Sequence, residues 1–65
     1  MHYAPPMADE RLMSERDLAR YLNLSLRTIQ RWRTKGEGPP VLWAGNRPRY
    51  RKAEVDAWLQ RKAEH

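Results

Sequence analysis

Apolar side chains recur at three- and four-residue intervals in three stretches of this chain, and two short extended runs lie between the second and the third. Leu18, Ala19 and Leu22 share one side of a helical projection, with Arg16 and Arg20 turned away from it. Ile29 and Trp32 coincide on the next, with Leu26 at the margin and Arg27, Gln30, Arg31 and Thr34 opposite. Val55, Trp58 and Leu59 form the last stripe. Residues 41–50, VLWAGNRPRY, read instead as two extended runs around Gly45-Asn46, a hairpin signal.

Punctuation residues fix the bounds. Ser14 is a suitable N-cap, and Asp17 three residues on gives a near capping box, predicting a helix over Glu15–Leu22. Asn23 stands where the chain must reverse and tolerates the left-handed conformation. Ser25 caps a second helix over Leu26–Lys35, which Gly36 ends and Gly38-Pro39-Pro40 prevents from continuing. Pro48 confines the second run of the hairpin to an edge position. A final helix is expected over about 52–62, with acids near its start and bases near its end, though Arg51 makes a poor cap. Residues 1–11 carry two prolines and little periodicity and read as a disordered tail, with Leu12 opening a single domain over 12–63. The expected fold is mainly α with a small β-hairpin. Two short helices around a three-residue break, the second basic on one side, are the pattern of a helix-turn-helix that lays its second helix in the DNA major groove; the basic hairpin adds a wing.

Composition narrows the chemistry. Sixty-five residues leave no room for a deep catalytic cleft, and the lack of cysteine removes disulfides and thiolate sites. Packing must therefore hold the fold, with the three tryptophans as expected anchors. The net charge of +5 is unevenly spread: residues 25–52 hold eight basic side chains against the single acid Glu37. The positive charge thus lies on the second helix and on the residues after it. No apolar run reaches membrane-spanning length and no signal peptide is visible, so a soluble cytoplasmic protein is expected. His2 and His65 lack a second ligand at metal spacing, the carboxylates are scattered over helix faces read as solvated, and Gly36 and Gly38 lack the lysine of a phosphate loop. No cofactor, metal or enzymatic activity is expected.

The runs SERDLARYLNLSLRTIQRW, GEGPP, NRPRYR and VDAWL, in this order and spacing, resemble the excisionase and AlpA-like family of small DNA-binding proteins, relatives of the DNA-binding domain of MerR regulators. The resemblance spans about residues 12–62. It implies a winged helix-turn-helix that acts as a recombination directionality factor for a phage or mobile-element integrase, or as a small prophage or plasmid regulator. It also implies double-stranded DNA, an integrase and neighbouring copies of the chain as partners, with a monomer in the absence of DNA. Members often have glycine where this chain has Asn23, and asparagine can adopt the same backbone conformation.

Within this frame Arg27, Gln30, Arg31 and Thr34 are the candidates for the major groove, because arginine pairs bidentately with guanine and glutamine with adenine. Arg31 has a second role open to it, pairing with an acid of the first or last helix. Ser25, Thr28 and Lys35 are candidates for phosphate contact, with capping the alternative for Ser25 and packing beside Trp32 the alternative for Thr28. Arg47 and Arg49 are placed in the wing, against the minor groove or backbone, with Arg49 alternatively bracing the last helix. Trp32 and Trp58 belong to the core by position, and Trp43 is expected to be core or half-covered, with a protein contact as the alternative. A basic adaptor that meets an acidic protein is the competing function of another class.

Overall fold

The computed structural model describes residues 12–63, in the order β1 (Leu12–Met13), α1 (Glu15–Leu22), α2 (Leu26–Lys35), β2 (Leu42–Ala44), β3 (Arg47–Arg51) and α3 (Lys52–Ala63). The expected tail over 1–11 lies outside the described residues. Three helices with a small antiparallel sheet make a winged helix-turn-helix.

The helix ends follow the residues that mark them. The Ser14 hydroxyl accepts from the Asp17 amide and the Asp17 carboxylate accepts from the Ser14 amide, both at 3.1 Å, so aspartate completes the capping box. Asn23 takes the left-handed conformation at φ 59° and ψ 45°, which lets the Leu24 amide donate to the Ala19 carbonyl at 2.9 Å. At the other end of the motif Gly36, at φ 73°, turns the chain so that the Glu37 amide reaches the Trp32 carbonyl at 2.7 Å. Gly38 has a different task. A Cβ there would lie 2.8 Å from the Trp32 ring, so the absent side chain is what lets the loop close over that indole.

The sheet is larger than the hairpin read from the sequence. Leu12 and Met13 pair with Arg51 and Tyr50, giving the strand order β1-β3-β2. β3 is therefore the central strand, which corrects the edge position expected from Pro48. The proline is accommodated because β1 reaches only Tyr50 and Arg51; at Pro48 the strand has β2 alone beside it, through Trp43. A two-residue strand such as β1 is too short to announce itself by alternation.

Leu18, Ala19, Ile29, Tyr50 and Val55 make the core, with Met13, Leu22, Trp32 and Val41 packed around it. Each helix and the central strand thus contributes. The expected dominance of tryptophan does not hold. Tyr50 is the largest fully buried side chain, and burial raises the pKa of its phenol. Trp32 and Trp58 meet edge to face at 5.5 Å on the margin of the core, whereas Trp43 is 52 % exposed on the wing. Leu59, expected in the buried stripe of α3, is exposed, so that helix is anchored by Val55 and Trp58.

Candidate nucleic-acid interface

α2 presents its polar flank to solvent because Ile29 is fully buried and Trp32 packs beside the core on the opposite flank. Arg27, Gln30, Arg31, Thr34 and Lys35 line one shallow depression along that exposed side. Among the described residues, the ion pairs are Arg33 with Glu15 and Lys52 with Asp56; Arg27, Arg31 and Lys35 take part in neither. The acid-pairing role left open for Arg31 is thus filled by Arg33, two residues further on. The Thr34 hydroxyl donates to the Gln30 carbonyl at 2.9 Å, so it faces the depression with its lone pairs still free to accept.

The start of α2 is more occupied than its middle. The Ser25 hydroxyl accepts from the Thr28 amide at 3.2 Å, which is the expected cap, and its oxygen lies 2.9 Å from the Thr28 hydroxyl. Thr28 therefore has a hydroxyl partner that neither of its expected roles supplies. Ser25 and Thr28 sit at the N-terminus of the helix and do not line the depression.

The wing supplies the second part of the surface. Gly45 takes a positive φ of 69° at the first turn position, as a tight hairpin requires, and Ala44 faces Arg47 across the ladder. Arg47 is exposed. Arg49 is half-buried, and its guanidinium donates to the Pro48 carbonyl at 2.7 Å. That bond ties the guanidinium to the backbone of its own strand. Arg47, Pro48 and Arg49 line a second depression with Gln30 and with Arg16 from α1. Gln30 lines both depressions, so the exposed flank of α2 and the wing form one continuous surface.

Glu15, Asp17 and Asp56 are engaged by donors of their own. Hydrogen bonds from the Ser14 amide and hydroxyl hold the Asp17 carboxyl below its ordinary pKa. The Tyr21 hydroxyl, then Lys52, does the same for Asp56 on α3. Glu15 accepts from the Arg33 guanidinium, whose pKa that bond raises further. Glu15 is also mostly buried at its side chain, at 13 % exposure, so it does not lie on a solvated face as its position in the sequence suggests. These fixed partners leave the positive charge of Arg27, Arg31 and Lys35 available to an outside anion.

Two residues of this region escape the sequence pattern. The helical projection places Arg16 only as a residue away from the core, and nothing in its spacing tells that the wing folds over beside it. Arg33 carries a usable signal: it lies four residues after Ile29 and seven after Leu26, on the margin of the packed flank.

Among the described residues no group of His, Asp or Glu is placed to hold a metal ion, and no helix is long and apolar enough to cross a membrane. No curated protein and no solved structure matches the chain significantly. A family model described as a helix-turn-helix domain matches residues 12–63, the whole described span, and the chain belongs to that helix-turn-helix family.

Proposed function

We propose that the protein binds double-stranded DNA sequence-specifically, without enzymatic activity, and serves as an excisionase that steers an integrase toward excision. The observation that carries the reading is the continuous basic surface in which Gln30 joins the α2 depression to the wing depression. In this reading α2 enters the major groove, where Arg27, Gln30 and Arg31 meet base edges and Thr34 accepts or bridges through water. Lys35 meets a phosphate, as do the hydroxyls at the start of α2, Ser25 and Thr28. Arg47 and Arg49 follow the adjoining backbone into the minor groove.

Size then constrains the mode of action. A single module of this kind covers a modest area and binds one site weakly. Useful occupancy comes from several copies on repeated sites, with head-to-tail contacts that bend the duplex. That arrangement suits a factor that shapes an attachment site for an integrase. The excisionase part of the proposal is supported by the NRPRYR and VDAWL runs and their resemblance to that family.

Footprinting on the attachment and promoter regions of the genetic element that encodes the chain, combined with recombination in vitro, tests both levels. Protected direct repeats and an excision rate that rises with added protein are expected. Protection at a promoter with no change in excision overturns the excisionase role and leaves a regulator using the same surface. A lack of protection anywhere overturns DNA recognition itself.

A further inference from the structure

Arg33 behaves unlike the other basic residues of α2. Arg27, Arg31 and Lys35 line the outer depression, and Arg33 does not. Its Nε donates to the Glu15 carboxylate at the first residue of α1, and its guanidinium carbon lies 5.8 Å from the centre of the Trp43 ring on β2. One planar cation thus touches α1 and the wing while belonging to α2. Arginine suits this position because its rigid fork can bond a carboxylate in one direction and stack on an indole in another.

Backbone packing makes this join much less directly. α2 rests mainly on α1, while the sheet meets the helices mainly through β3, on α1 and α3. Trp43 faces Pro48 in the ladder, with Leu42 opposite Arg49 on one side and Ala44 opposite Arg47 on the other. Whatever holds Trp43 therefore holds both wing arginines. Glu15 and Gln30 lie in the same depression as those arginines, so the pair sits where the wing and α2 must keep a fixed spacing.

We propose that Arg33 is a positioning residue that, bonded to Glu15 and placed over the Trp43 ring, fixes the wing relative to α2 and so sets the separation at which the two parts of the surface meet a duplex. The proposal rests on the DNA-binding reading above and adds the residue that sets its geometry. It carries a distinctive sign. Glu15→Gln removes a negative charge from a basic groove, and by charge alone it tightens binding to a polyanion. If the pair positions the wing, the same change weakens binding, because the wing arginines no longer arrive together with α2.

The test uses the full chain and begins without DNA. Backbone relaxation by NMR at Gly45 and Asn46, the wing tip, compares the wild type with Arg33→Met, Glu15→Gln and Trp43→Ala. Trp43→Ala is the variant that decides should Arg33→Met fail to fold, since Trp43 is largely exposed. Lower order at the tip is expected in each. Affinity for a short random-sequence duplex is then measured for the wild type and Glu15→Gln, each with and without Arg47→Ala. Glu15→Gln is expected to bind about threefold more weakly, a loss of about 0.7 kcal/mol. Arg47→Ala should cost less in that background than in the wild type. An unchanged tip in the variants, or tighter binding by Glu15→Gln, overturns the proposal. A loosened tip in a protein that ignores duplex DNA supports the positioning role and overturns the DNA-binding reading.

Discussion

The two flanks of α2 carry the same kind of side chain and use it in opposite ways. On the outer flank Arg27 and Arg31 point into an open depression and pair with no acid among the described residues. On the inner flank Arg33 bonds Glu15 and lies against Trp43. Position relative to the core decides the difference. Arg33 stands beside the row that Ile29 and Trp32 bury, where the half-buried Glu15 and the Trp43 indole are within reach. Arg27 and Arg31 stand on the exposed side of the helix, where neither forms an ion pair among the described residues. Net charge therefore overstates the surface available to a ligand, because part of the arginine content is engaged in holding the fold.

Core and loop substitutions on the inner flank should show the largest effects. Ile29→Ala empties a fully buried site and should lower unfolding free energy by about 3 kcal/mol in urea titrations. Gly38→Ala places a methyl group against the Trp32 ring at a backbone φ of 84°. It should cost about 2 kcal/mol by the same measurement. If either variant is as stable as the wild type, Trp32 and the loop are not packed as described. On the outer flank, Arg27→Ala should shift stability by no more than about 0.5 kcal/mol.

A smaller effect is expected from pH. Asp17 and Asp56 both have folded-state pKa values below the ordinary carboxyl value, through the Ser14 donors and the Tyr21 hydroxyl respectively. The unfolded chain thus takes up protons first. The stability these groups supply is complete above the ordinary carboxyl pKa and declines as pH falls through the carboxyl range toward the folded values. Both carboxyls are near the surface, so the contribution is modest. The urea midpoint should fall between pH 6 and pH 3, and the fall should be smaller in Asp17→Asn with Tyr21→Phe, which removes one of the two carboxyls and the hydroxyl donor of the other. An equal fall in that variant would show that other groups carry the acid sensitivity.

Much of the fold was legible because it rests on local rules. The ends of α1 and α2 follow from Ser14, Asn23, Ser25 and Gly36, whose conformations are set by neighbours within a few residues. The hairpin turn at Gly45 follows in the same way. Features fixed by distant partners were not legible. The pairing of Leu12 and Met13 with β3 joins residues far apart in the chain, and so does the burial of Tyr50 against helices on either side of it. The apolar content of tryptophan leaves core and half-covered positions open for Trp43; on a short wing strand the ring is about half covered, with the Arg33 guanidinium over it. In the interface, helical spacing groups Arg27, Gln30, Arg31 and Thr34 correctly on one exposed side. It does not reveal that Gln30 also borders the wing or that Arg16 joins Arg47 there, because those relations depend on how the sheet folds back over α1.

The central claim is that the outer flank of α2 meets DNA while the inner flank holds the fold. The most direct measurement pairs duplex affinity, over a range of salt, with thermal stability for Arg27→Ala combined with Gln30→Ala. The account predicts that the melting temperature stays within about 2 °C, that preference for the cognate site over random sequence disappears, and that the log–log salt slope of several units changes by no more than about one. A variant that keeps its site preference, or one that loses it only by unfolding, would contradict the account.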